Sequence, residues 1–81
     1  MEKKWKYIII KKLGHEVAIL FDPLIEHAEV AQNIPVIAAG FCNISCAEQD
    51  VPVNAYGESE SLKRSSREEK DERIILRNMT Q

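Results

Sequence analysis

An 81-residue chain holds one small domain and leaves no room for a second core, and a chain of this size buries only roughly 60% of the surface its unfolded form exposes. No apolar run approaches the roughly 20 residues of a membrane span, and Ile8-Ile9-Ile10, followed at once by Lys11 and Lys12, is too short for the apolar core of a signal peptide. A cytoplasmic protein is expected, and because so small a core is marginal, a homo-oligomer, in the simplest case a dimer.

After a frayed Met1–Lys4, Trp5–Lys12 is dense in aromatic and β-branched residues and is expected as the first strand. The lysines at both its ends are of the kind that discourages edge-to-edge pairing. Gly14 can take the positive φ of a tight hairpin, and Glu16–Phe21 then runs back with Val17, Ile19 and Phe21 on one side. Asp22-Pro23 has the form of a helix start: the Asp side chain accepts from free amides, and Pro at the first helical position loses no bond. Leu24, Ile25, Ala28 and Ala31 follow at helical spacing, which predicts a short helix that ends before Pro35 and turns Glu26, His27 and Glu29 away.

Ile34–Ser45 lies in the longest stretch without a charged side chain. It is apolar at nearly every position through Phe41 and alternates afterwards, as in a central strand covered on both faces at its start and on one at its end. Val51–Gly57, after the polar Ala47–Asp50, is the fourth strand, with Pro52 at its start or on an edge. Cys42 and Cys46 would lie roughly 13–14 Å apart along an extended strand, too far for a disulfide, so two buried thiols are expected unless the chain turns at Asn43–Ser45. Residues 58–65 read as a polar connector, and Ser66 with Glu69 has the form of a capping box opening a helix to Met79. The sequence therefore predicts a single α+β domain of order β-β-α-β-β-α, an antiparallel sheet with helices on one face. The other face, partly apolar through Ile8 and Ile10, is left for a second copy.

The chemical constellations are thin. Cys42, Cys46, His15 and His27 are zinc-ligand types, but cysteines four apart in a strand do not make a knuckle, so no metal and no cofactor are expected. A cysteine–histidine nucleophile lacks an oxyanion-forming turn, and Gly40 reads instead as a close backbone approach. The pairs Glu26/Glu29 and Glu58/Glu60 read as surface charge, so no residue is assigned to catalysis. Trp5 and Tyr7 share a strand face and, with lysines beside them, could stack bases as a sheet platform does; core or dimer contact is the simpler reading.

Charge comes in blocks. Lys3, Lys4, Lys6, Lys11 and Lys12 face only Glu2, whereas Leu13–Leu62 holds no Lys or Arg and is acidic throughout; basic residues return from Lys63 onward, and the net charge is −2. Phosphate neutralisation by a nucleic-acid binder calls for a basic excess or stripe. Here only a local basic patch is available, and only if the two ends meet, so nucleic acid is not the expected partner. The acidic middle favours a non-enzymatic interaction protein, for instance an inhibitor presenting Glu48, Asp50, Glu58 and Glu60, with Tyr56 beside them, where a target protein expects phosphates. The alternative is a small phosphate-bearing ligand such as a nucleotide. It would sit at the strand-to-helix connector on Ser59, Ser61, Lys63, Arg64 and Arg67, within one chain or between protomers; a polar linker with a capped helix is the plainer account of the same residues.

The runs Ala38-Ala39-Gly40-Phe41, Ala55-Tyr56-Gly57-Glu58-Ser59, Ser61-Leu62, Ser66-Arg67 and Asp71-Glu72 together resemble a pattern in small proteins encoded by bacteriophages and prophages. That resemblance implies a bacterial or phage cytosolic setting, in which the protein partner expected from the acidic middle would be a host protein. It carries over no catalytic residue.

Overall fold

The computed structural model describes residues 2–45 and 53–79. Strands β1 (Glu2–Lys12) and β2 (His15–Phe21) form the expected hairpin, closed by Lys12 opposite His15. Leu13 and Gly14 between them both have positive φ, 53° and 83°. That is the two-residue loop whose twist matches its strands; glycine adopts it freely, and a leucine there costs roughly 1–2 kcal/mol.

Strand β3 (Val36–Ser45) pairs antiparallel with the other side of β1, and β4 (Val53–Tyr56) with β3, giving the order β2-β1-β3-β4. Residues 2–4 are therefore not frayed: Glu2, Lys3 and Lys4 pair with Ser45, Ile44 and Asn43. β1 is an inner strand, so its terminal lysines guard no edge. The register slips once, from Ile9 opposite Ala38 to Ile10 opposite Val36, which leaves Ile37 bulged out. Cys46, the Ala47–Asp50 loop expected from the sequence, Val51 and Pro52 lie outside the described residues.

Two helices and a small hairpin complete the fold: α1 (His27–Ala31), β5 (Glu58–Ser59) paired with β6 (Arg64–Ser65), and α2 (Glu69–Met79). The α+β class and the antiparallel sheet are as expected. The helices, however, lie on opposite faces of the sheet. Tyr7, Ile9, Ala38, Cys42, Val53 and Ala55 pack under Ile74 and Ile75 of α2, while Ile8, Ile10, Phe21 and Ala39 pack with Ala31 of α1 and Leu62 of the small hairpin. Tyr7-Ile8-Ile9-Ile10 is apolar on both faces, so each face must be covered. The face expected to await a second copy is closed within the chain, Ile8 fully and Ile10 to 9% exposure, which removes that reason for a dimer.

Three local structures also differ from expectation. Asp22-Pro23 opens a turn, not a helix: Asp22 O accepts from Ile25 N at 2.9 Å and its Oδ1 from Leu24 N at 2.8 Å. Asp and Pro are the favoured first two residues of such a turn. The helix starts only at His27, which is thereby turned inward while Leu24 is left exposed. The connector folds as the β5–β6 hairpin, buries Ser59, and is pinned to β3 by Arg64 Nε donating to Val36 O at 2.9 Å. Finally, the Ser66–Glu69 capping box does not form. Ser66 Oγ accepts from Glu68 N instead, and Asp71 reaches back to Arg67 N.

Helix α2 lies across the sheet and fastens both edge strands. Glu72 Oε2 accepts from Ala55 N of β4 at 2.9 Å, Asn78 Oδ1 from Ala18 N of β2 at 3.0 Å, and Arg77 Nη2 donates to Glu16 O at 3.0 Å. Edge amides are templates for pairing with other chains, and here one helix occupies some on each side.

Candidate functional site

Beneath α2 lies a buried polar network. Tyr7 Oη donates to Asp71 Oδ2 at 2.6 Å and is 2.7 Å from Ser66 Oγ; with one phenolic proton available, the serine is the donor in the second contact. Asp71 also accepts from Arg67 Nε at 2.7 Å and from Arg67 N at 2.8 Å, and Arg67 Nη2 pairs with Glu16 Oε1 at 2.6 Å. Burial, and then the neighbouring Asp71, push the Tyr7 phenol far above its ordinary value. Burial acts to lower the Arg67 pKa, but the bonds to Glu16 and Asp71 together raise it, and the same guanidinium holds the Glu16 carboxyl below its usual range. No buried side-chain polar atom among the described residues lacks a partner. Such a network pins β1, β2 and α2 together.

The opposite face carries an open cleft of about 380 Å³ between α1 and the β5–β6 hairpin. Its floor is His27 and Phe41. His27 Nε2 donates to Gly40 O at 2.8 Å, and burial lowers its pKa, so the ring is neutral with its proton on Nε2. The ring stands edge-on to Phe21 and Phe41, at 5.5 Å and 5.7 Å, and Phe41 stacks on Tyr56 at 6.0 Å. An aromatic row thus runs from β2 across the sheet to β4. Gly40 makes the close approach possible, since a Cβ there would sit 2.6 Å from Tyr56 O. The rim is charged: Glu26, Glu58 and Glu60 stand around Lys6, whose Nζ is held by Ile25 O at 2.9 Å. None of the three carboxylates has an ion pair among the described residues.

The residues singled out from the sequence divide cleanly. Glu58, Ser59, Glu60 and Ser61 come together at this cleft, where the Ser59 hydroxyl accepts from Leu62 N at 3.3 Å and so shapes the turn. Tyr56 is half-buried against Phe41 and donates to Asn43 Oδ1 at 3.2 Å. Of the three cations of the proposed anion site, Arg67 is paired with Asp71 and Glu16, Arg64 donates from Nε to Val36 O, and Lys63 sits exposed in the hairpin turn. Glu48 and Asp50 lie outside the described residues. Sequence reasoning missed Glu26, Lys6, Phe41 and His27, the last because its helical phase was taken from the wrong start.

Cys42 lies in the core beneath α2, its thiol pushed up to about 12 by burial, while His27 belongs to the other face. A nucleophile and its base are therefore not brought together. Among the described residues no group of three or more His, Cys, Asp or Glu is placed to hold a metal ion, and no helix is long and apolar enough to cross a membrane. No protein-family model, curated protein or solved structure matches the chain.

Proposed function

We propose that this protein is a non-enzymatic interaction module that docks a basic segment of a partner protein in the cleft between α1 and the β5–β6 hairpin. The observation that carries this reading is the convergence of Glu26, Glu58 and Glu60, unpaired among the described residues, on one cleft with an aromatic floor. Carboxylates so placed steer and orient a cationic partner, and the Phe41 ring suits a cation, as it already does for Lys4 and Lys6, whose Nζ atoms lie 4.7 Å and 5.9 Å from its centroid. The resemblance to small phage-encoded proteins makes a host protein complex the setting to try first, with inhibition as the outcome. The phosphate-ligand alternative loses support because its arginines are already engaged within the chain.

The test is fluorescence anisotropy with a labelled, terminally blocked arginine–glycine peptide at low salt. Saturable binding that weakens at least about tenfold in the double variant Glu58→Gln/Glu60→Gln is the expected result. Equal binding by the variant, or none by the native protein, would retire the proposal.

A further inference from the structure

The two basic ends of the chain meet. Lys11 and Lys12 close β1 at the hairpin, and α2 packs alongside, so that Lys11, Lys70, Arg73 and Arg77 line one cleft of about 360 Å³ together with His15 and Glu16. A second cleft of about 490 Å³ continues it past Lys12 and shares His15, Glu16 and Arg77. The acidic lining residue, Glu16, is already paired with Arg67 and so detracts little from the field. Lys11, Lys12, Lys70 and Arg73 are exposed. At 3.6 residues per turn Lys70, Arg73 and Arg77 fall within roughly a 60° arc beside the buried Ile74; Glu72 falls on the other flank, bonded to β4, and Glu69 lies roughly 40° beyond Arg73 on the outer side of the helix. The helix is thus sorted by charge, with its cations on the side of the hairpin.

We infer that this groove is a second binding surface, distinct from the acidic cleft, and that it takes the sugar–phosphate backbone of a nucleic acid without reading its sequence. Lys70 to Arg77 spans about 10 Å of helix, which corresponds to about three phosphates of one strand counted along the duplex axis, where each adds 3.4 Å. Lys11 on the hairpin lines the first cleft and Lys12 the second, so each extends the positive wall of its own. No Phe, Tyr or Trp among the described residues lines either cleft, and His15 supplies a single ring instead of an extended platform for bases, so contact with the backbone is what remains. A groove walled by a helix and a hairpin favours a rod-shaped polyanion over the planar surface of an anionic membrane.

The experiment measures binding of a fluorescein-labelled mixed-sequence DNA duplex across a salt series, beside sedimentation with vesicles containing phosphatidylserine. With three to four phosphates neutralised, affinity should fall on the order of 50- to 100-fold between 50 and 200 mM salt. The variant Lys70→Ala/Arg73→Ala should flatten the logarithmic salt slope by about 2 and leave the melting temperature unchanged. Lys63→Ala, in the hairpin on the other face, should match the native protein. Absence of duplex binding at 50 mM salt, binding indifferent to Lys70 and Arg73, or binding to vesicles alone would overturn the inference.

Discussion

The face under α2 satisfies the polar groups it buries with partners from the same chain, whereas the face under α1 leaves three carboxylates around an open cleft. Asp71 and Glu58 are both acidic residues of the last third of the sequence, yet one is fully buried and bonded through both oxygens to Arg67 and Tyr7, and the other is exposed without an ion pair among the described residues. A charge with all its partners at home is part of the scaffold. A charge held open at a shaped, aromatic-floored cleft is available to another molecule.

Several changes break or sharpen this contrast. The largest effect belongs to Asp71→Ala, which removes the buried acceptor of Tyr7 and leaves Arg67 with Glu16 alone; urea denaturation should show a loss of about 3–5 kcal/mol, while Glu58→Gln/Glu60→Gln stays within about 0.5 kcal/mol of the native protein. Gly40→Ala comes next. Its Cβ would meet the Tyr56 carbonyl at 2.6 Å, and overpacking of that kind costs about 1–3 kcal/mol, read in the same titration.

A pH series separates the faces by their titrating groups. His27 is buried neutral, with a pKa below its ordinary 6.5, so the unfolded chain binds the proton first and stability falls as pH drops below about 6.5. Glu16, held below its ordinary 4.5 by Arg67, withdraws its contribution only as pH falls below about 4.5. Melting temperatures of His27→Gln should lose the upper slope and keep the lower one. The smallest effect is expected for Asn78→Ala, about 1 kcal/mol from the bond to Ala18 N; its more telling readout is sedimentation velocity, where an unfastened β2 edge should raise self-association.

Much of the architecture was legible in local chemistry. The β-branched run of Trp5–Lys12, Gly14 and the alternation of Glu16–Phe21 specify a hairpin whatever surrounds it, and the uncharged stretch around β3 marks an inner strand. What was not legible depended on context. Asp22-Pro23 suits a helix start and a turn equally, and only the turn puts His27 inside. Leu62, alone in a polar run, reads as linker until the sheet face it covers is known. The two-sided apolar stretch Tyr7–Ile10 carries the signal for covers on both faces, which an arrangement with both helices on one face does not meet. The bond from Tyr7 to Asp71 spans 64 residues, and no pattern of spacing announces such a pair. The candidate site was half visible for the same reason: Glu58–Ser61 are contiguous, while Glu26, Lys6 and Phe41 join them only through the fold.

The most direct test of the division between scaffold and site is a chemical-shift map of the ¹⁵N-labelled protein titrated with the blocked arginine–glycine peptide. Perturbations gathered at Lys6, Glu26, His27, Phe41 and Glu58–Ser61, with the α2 network silent, are the result predicted here. Perturbations centred on α2, or scattered over the surface without saturation, would contradict it.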